Sequence, residues 1–154
     1  MNYLHKLFKF ALGAILLFTL AGTTSAQTTY FVNGVTGNDA WTGTSATFVS
    51  GNVGPKATIQ AMHDLASVVN GDIVSIAAAT YPETVTLTKR VQLLNTGAVT
   101  VTNINLNTNS TAVILGNAGQ DLTITGTLTV TSGIYNLTTV NVILAVGATL
   151  DVKV

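Results

Sequence analysis

The chain has 154 residues, a formal net charge of zero and no cysteine, and only 8% of its residues are charged. So few cations cannot form the basic surface that nucleic-acid binding requires, so we expect no nucleic-acid partner. The lack of cysteine excludes disulfides and thiolate-bound metals, which leaves packing and hydrogen bonds to hold the fold together.

Residues 1–26 have the pattern of a secretory signal peptide. Lys6 and Lys9 precede an apolar run at residues 10–21, and small residues follow up to a cleavage site expected after Ala26. The run is shorter than the about 20 residues of a membrane span, so we expect no stable span after cleavage, with a retained N-terminal anchor as the alternative. The pattern predicts a secreted or bacterial cell-surface protein. Its remaining four basic and six acidic residues give a net charge of minus two.

Residues 27–70 are predicted to form an N-terminal strand, a loop and a capping helix. The strand is expected at residues 30–33, and a loop rich in Gly, Thr, Asn and Ser follows, in which Trp41 and Phe48 are expected to pack the cap. Apolar residues recur at helical spacing over residues 58–69, with Thr58 as N-cap and Gly71 following the helix end. His63 is predicted on the outer, exposed part of this helix.

From Val91 onward, apolar residues recur every 22 positions. Between them they alternate with Thr, Asn and Ser, which is typical of strands with one buried face. A leucine-rich repeat has a similar length but needs a helical return arm, for which Ala, Glu, Lys and Arg are too sparse. The structural residues predicted to form stacked columns are Val91, Val113 and Tyr135; Leu93, Leu115 and Leu137; and Leu106, Leu128 and Leu150.

This period predicts an all-β fold, a right-handed parallel β-helix, or solenoid, with a short N-terminal capping helix. Residues 71–154 would form about four rungs of it. The sequence ends inside an alternating strand pattern at residues 151–154, so we expect a fold truncated at its C-terminal end. Further β-helix rungs, or self-association at that end, would then cover the last rung.

Several segments together resemble the N-terminal signature of the pectin-lyase-like right-handed β-helix family. The resemblance covers residues 30–94 and rests on these segments: Tyr30-Phe31-Val32, Gly37-Asn38-Asp39, Gly43-Thr44, Lys56-Ala57-Thr58-Ile59-Gln60-Ala61, Gly71-Asp72-Ile73-Val74, Thr80-Tyr81-Pro82-Glu83 and Thr88-Lys89. It implies that the Thr58 helix is the N-terminal cap and that Gly71 and Asp72 open the first rung. Residues 77–79 depart from the family, which usually has a glycine there.

The charged residues predict no catalytic site. Asp121 and Asp151 gain no acidic neighbour at the 22-residue interval, and Lys89 and Arg90 are expected to be solvated turn charges. A single histidine after cleavage gives little support to zinc ligation or a Ser-His-Asp site. Asp39, in a loop with many carbonyls, is a weak candidate for a calcium site, although a turn hydrogen bond is favoured. Asp72 is expected to accept hydrogen bonds from backbone amides.

These observations favour a non-enzymatic function. We expect an exported structural or adhesive segment without a complete active site, which binds polysaccharide weakly through its outward Thr and Asn residues and lacks exposed aromatic platforms. The alternative is the N-terminal portion of a polysaccharide lyase or glycoside hydrolase of the pectin-lyase-like fold. Fold resemblance alone does not decide between them.

Overall fold

The computed structural model describes residues 26–107, 113–115, 120–132, 135–136 and 141–153. The predicted signal peptide lies outside these ranges apart from Ala26. None of the helices formed within them is long and apolar enough to cross a membrane.

The described residues form strands joined by turns, and one short helix. The elements in chain order are β1 (Thr29–Val32), α1 (Ile59–His63), β2 (Ile73–Ile76), β3 (Ala79–Leu87), β4 (Gln92–Asn95), β5 (Val99–Asn107), β6 (Val113–Leu115), β7 (Asp121–Ile124), β8 (Thr127–Ser132), β9 (Tyr135–Asn136), β10 (Asn141–Leu144) and β11 (Thr149–Val152).

Five strands form the first sheet, in the order β1-β2-β4-β6-β9, and every neighbouring pair is parallel. Val32 pairs with Ile76, which pairs in turn with Asn95. Alternate residues of β1, β2 and β4 are buried, as the period of two in their sequences requires.

The second sheet is built around β5. Its strands run in the order β10-β7-β5-β8-β11, all pairs being parallel, and β3 pairs with the other edge of β5. Residues 99–101 of β5 pair with β7, and residues from 104 onward pair with β8. Two consecutive strands therefore share one edge of β5, and β10 and β11 extend them in the same way.

Asn103 forms side-chain hydrogen bonds at the position where the pairing partner of β5 changes from β7 to β8. Its Nδ2 donates to the Thr84 hydroxyl at 3.0 Å, and its Oδ1 accepts from the Thr127 amide at 2.8 Å. A side chain at Gly126 would place its Cβ 2.3 Å from that Oδ1, so only glycine fits in this turn. One amide side chain thus joins β5 to the strands on both sides.

The core lies beneath these strands. It contains the alternate inward residues of β3 and β5, among them Tyr81, Val85, Val101, Ile104 and Leu106, all at most 2% exposed. Burying one such Leu or Ile side chain contributes about 1.5–3 kcal/mol, so the sheets are held together mainly by this aliphatic layer.

The prediction of an all-β right-handed parallel β-helix is wrong. The described residues form two parallel sheets with a short α-helix, and their pairing does not follow coils of one constant length. Ile73 pairs with Gln92, 19 positions on, whereas Ile104 pairs with Leu128, 24 positions on. The spacing of apolar residues determines which face of a strand is buried, but it does not determine the lengths of the turns between strands.

The predicted columns are correspondingly correct in part. Leu128 pairs with Leu150, as expected, but its partner on β5 is Ile104, and Leu106 pairs with Val130 instead. A shift of two residues keeps the same face buried, so the pattern could not reveal it. Two other predicted pairs are present, Leu93 with Leu115 and Val113 with Tyr135. Val91 is fully buried just before β4, and Leu137 lies outside the described residues.

The predicted helix is much shorter than residues 58–69. Thr58 is its N-cap, as expected, because its hydroxyl accepts from the Ala61 amide at 3.2 Å. The helix ends at His63, however, and the amides of Leu65 and Val68 then bond to carbonyls three residues earlier. Val69, expected on the buried face, is 44% exposed.

We predict that Leu128→Asp lowers the free energy of unfolding by at least about 3 kcal/mol, because it places an unpaired carboxylate against Ile104 in the core. Leu128 is 4% exposed. Val35→Asp is the matched control: that side chain is 79% exposed, and its replacement should change stability by less than about 0.5 kcal/mol. Urea denaturation of the purified variants measures both, and equal midpoints would contradict the register.

Candidate functional site

Two carboxylates occupy the start of α1. Asp39 accepts from the amides of Ala57 and Thr58, both at 2.9 Å, and from the Thr58 hydroxyl at 3.0 Å. Glu83 accepts from the next two amides, those of Ile59 at 2.8 Å and Gln60 at 2.9 Å. Burial raises the pKa of Glu83, the two amide hydrogen bonds act in the opposite direction, and Asp39 adds to the increase. The two carboxylates therefore accept hydrogen bonds from backbone amides at the start of the helix, which have no partner within the helix itself.

Calcium at Asp39 stays a prediction. Both carboxylate oxygens of Asp39 already accept hydrogen bonds. Their donors are residues 18 and 19 positions away, in place of the expected hydrogen bond within the turn that contains Asp39. Within the described ranges, no group of three or more His, Cys, Asp or Glu residues is placed to hold a metal ion.

The side chains of α1 cover the outer edge of β3. Gln60 Oε1 accepts from the Thr86 amide at 2.6 Å, and His63 Nε2 accepts from the amides of Thr88 and Lys89 at 3.2 and 3.1 Å. The Thr86 amide belongs to the free edge of β3, which would otherwise be open to pairing with another chain, and the other two amides follow directly after the strand. The helix thus closes this end of the protein through side chains as well as through packing.

The prediction that His63 is exposed is wrong, since the residue is 2% exposed. Because Nε2 accepts two amide hydrogens, the proton of the neutral ring belongs on Nδ1, which lies 3.2 Å from Asp64 Oδ1. Burial lowers the pKa of His63, and Lys89 acts in the same direction, while Asp64 raises it. The ring is consequently held in its neutral form.

Lys89 is a structural cation and not the solvated charge expected. Its Nζ donates to the carbonyls of His63 and Leu65, at 2.6 and 2.8 Å. The His63 carbonyl ends α1 and the Leu65 carbonyl lies two residues beyond it, so the cation is also placed to interact favourably with the helix dipole.

Asp72 has the role expected from the sequence. It is 2% exposed, and its carboxylate accepts from the amides of Thr28 and Val69 at 2.9 and 2.8 Å. The adjacent Gly71 has φ +97°, and its amide donates to the Arg90 carbonyl. Gly71 and Asp72 thus hold the backbone in place where β2 begins, and their role is structural.

The loop at residues 33–56, here called the N-terminal loop, carries an aromatic pair. The rings of Trp41 and Phe48 have centroids 4.9 Å apart and are tilted by 32°. Phe48 is 55% exposed, so the expectation that it packs the cap is wrong. Sequence reasoning missed this surface because two aromatics in a Gly- and Thr-rich loop do not show whether they point inward or outward.

The aromatic pair is held by a well-bonded backbone. The Thr42 amide donates to the Asn52 carbonyl at 2.8 Å, and the Gly43 amide to the Gly54 carbonyl at 2.9 Å. Gly54 also lies directly against the indole, because a Cβ there would be 2.4 Å from Trp41 Cε3. The indole is therefore supported from behind by backbone.

Hydroxyl groups and a shallow groove lie along the same loop. Thr42 and Thr44 are hydrogen-bonded to each other through their hydroxyls at 2.8 Å. Ala46, between the two aromatic positions in the sequence, borders a groove of about 210 Å³ whose other walls include Phe31, Ser75 and Thr96. Apolar rings beside small hydroxyl groups are the composition of many small-molecule sites.

An apolar groove of about 350 Å³ lies at the β10 and β11 end of the second sheet, away from β3. Its seven lining side chains are all Leu or Val, and those of Leu144, Leu150 and Val152 are 37%, 54% and 54% exposed. We call this surface the C-terminal groove. Apolar side chains exposed together in this way mark an interaction surface.

No protein-family model matches the chain, and neither does any curated protein or solved structure. The resemblance to the pectin-lyase-like family is therefore neither supported nor refuted and stays a prediction.

We predict that the protein loses stability as the pH falls from 7 to about 5, and that His63 causes part of this loss. The folded-state pKa lies below 6.5, so below that pH the unfolded chain binds a proton that the folded protein does not. The contribution of His63 to the free energy of unfolding is fully present above the pKa of histidine in the unfolded chain. Below that pKa it decreases by up to about 1.4 kcal/mol per pH unit.

His63→Gln isolates this contribution. Glu83, with its raised pKa, acts in the opposite direction in both proteins because the folded state takes up its proton first. Urea denaturation at several pH values should therefore show a shallower loss in the variant. Identical slopes for the two proteins would contradict a neutral, buried His63.

Proposed function

We propose that this protein is an exported structural or adhesive protein that binds neutral polysaccharide through the Trp41–Phe48 pair. The observation that carries the proposal is this aromatic pair, in which Phe48 is exposed and Trp41 is half-buried and supported by the backbone at Gly54. The hydroxyls of Thr42 and Thr44 lie close to Trp41 in the sequence. Export rests on the predicted signal peptide.

Sugar rings with equatorial hydroxyls present flat faces of C–H groups. Such a face packs well on an indole or phenyl ring, whose electron-rich face attracts the slightly positive hydrogens. The hydroxyls at the ring edge then need polar partners, which Thr and Asn side chains supply. A tilted aromatic pair can contact two successive sugar units of a chain.

The charge of the N-terminal loop favours a neutral ligand. Its charged residues are Asp39 and Lys56. Asp39 accepts from Ala57 and Thr58, and Lys56, only 6% exposed, donates its Nζ to the Asp39 carbonyl at 2.5 Å. A polyuronate would need free Arg or Lys side chains to pair with its carboxylates.

Titration calorimetry with cellohexaose, a soluble neutral β-linked glucan, tests this site. We predict that Trp41→Ala and Phe48→Ala each weaken binding at least about tenfold, equivalent to 1.4 kcal/mol of lost stacking. Trp41→Phe should retain most of the affinity, and Val35→Ala, at an exposed position of the same loop, should leave it unchanged.

Two outcomes would overturn the proposal. One is the absence of binding to cellohexaose, and the other is equal affinity in the two alanine variants and the parent protein. Stronger binding of trigalacturonate than of cellohexaose would refute the preference for neutral sugars. Circular dichroism of each variant verifies that the fold is intact.

The alternative, an N-terminal portion of a polysaccharide lyase or glycoside hydrolase, is tested separately. The protein is incubated with polygalacturonate, alginate and chondroitin while the ultraviolet absorbance of unsaturated products is followed. We expect no increase. A steady increase that scales with protein concentration would replace the binding function with the enzymatic one.

A further inference from the structure

We propose that two copies of this chain form a two-fold symmetric dimer through β11 and the C-terminal groove. This inference goes beyond glycan binding and does not depend on it. Within the described residues, β10 and β11 are each hydrogen-bonded along one side only, to β7 and β8 respectively. Their other edges expose backbone groups next to the apolar side chains of Leu144, Leu150 and Val152.

This edge carries few of the features by which proteins protect exposed strands. Residues 141–153 contain no proline and only two charged residues, Asp151 and Lys153. Exposed strand edges without such protection tend to pair with another chain. An apolar groove beside the edge adds a hydrophobic contribution to that pairing.

The two charges favour a second copy of the same chain as the partner. Lys153 continues β11 by one residue, because its amide donates to the Val130 carbonyl. In an antiparallel pair of these segments with a two-fold axis through Val152, Asp151 lies opposite Lys153 of the second copy, and Lys153 opposite its Asp151. Each end of the pair thus receives one cation and one anion on the same face of the sheet. Opposite charges at directly facing positions stabilise antiparallel strands.

The opposite end of the sheet makes a closed dimer the favoured geometry. Head-to-tail stacking would require the β11 edge to pair with the β3 edge of another copy. The Thr86 amide on β3, and the amides of Thr88 and Lys89 directly after β3, are already bonded to Gln60 and His63. Because the helix occupies the C-terminal part of that edge, pairing between two open ends is favoured over head-to-tail stacking, and it closes the assembly at two copies.

Within one chain, Asp151 and Lys153 already form an ion pair at 3.6 Å, with side chains 43% and 60% exposed. Such an exposed pair contributes little to the fold of the single chain. Replacing either charge should therefore leave the protomer folded while it changes the match between two copies.

Sedimentation equilibrium of the protein, purified after expression of the full chain, tests the proposal. We expect a dimer at about 100 μM and dissociation on dilution. D151K leaves two cations on the edge and K153D leaves two anions, so each variant should raise the dimer dissociation constant at least about tenfold. The double variant D151K/K153D restores the match and should dimerise like the parent.

Mixing the two single variants is the decisive arm. A D151K chain and a K153D chain face each other with opposite charges at both positions, so the mixture should form a heterodimer although neither variant dimerises alone. A change in the fold of the protomer could not produce this rescue.

Three results would overturn the proposal. A parent protein that remains monomeric at about 100 μM shows that the groove takes a different occupant, such as another protein or additional strands. Dimers that persist equally in both single variants lie on a different surface. Assemblies larger than two would show that the ends do not close. Trp41→Ala should leave dimerisation unchanged, so failure of the glycan proposal and failure of this one are distinguishable.

Discussion

Hydrogen bonding along both edges of β5 is the constraint on which the rest of the structure depends. One edge pairs with β3, and the other pairs with β7 and then β8. Asn103 bonds to both neighbours where the partner changes, so the turn at residues 125–126 is fixed by a side chain as well as by the ladders. The inward residues of β5 then form the centre of the core.

The two ends of the second sheet differ in whether side chains form hydrogen bonds with the backbone groups of the edge strand. At the β3 end, Gln60 accepts from an amide of β3 and His63 from the two amides after it, while Asp39 and Glu83 accept from amides at the start of the helix. At the β11 end, aliphatic side chains are exposed, and among the described residues β11 pairs along one edge only. The proposed dimer depends on this difference between the two ends, whereas the proposed glycan site on the N-terminal loop does not.

The sequence allowed the strands and their buried faces to be predicted, because alternation in segments such as 121–124 and 127–130 reports a half-buried strand directly. It also predicted the Thr58 cap and the acceptor role of Asp72, which follow from local chemistry. It did not allow the register of Leu106 to be predicted, because a slip of two residues preserves the same pattern. The role of His63 depends on amides 25 and 26 positions away, and no local signal reports contacts at that distance.

The separation between β1 and β2 has a consequence for how the protein matures. Thr29 pairs with Ile73, and the intervening 43 residues include the whole N-terminal loop and α1. A contact of such long range forms late, since the entropy of closing the chain is lost before the pairing gains anything. The β1–β2 pair is therefore expected to form after strand pairs such as β2–β4 and β5–β8, whose paired residues are 19 and 24 positions apart. The contacts around the aromatic pair, by contrast, join residues 41–54, so they can form before β1 finds its partner strand.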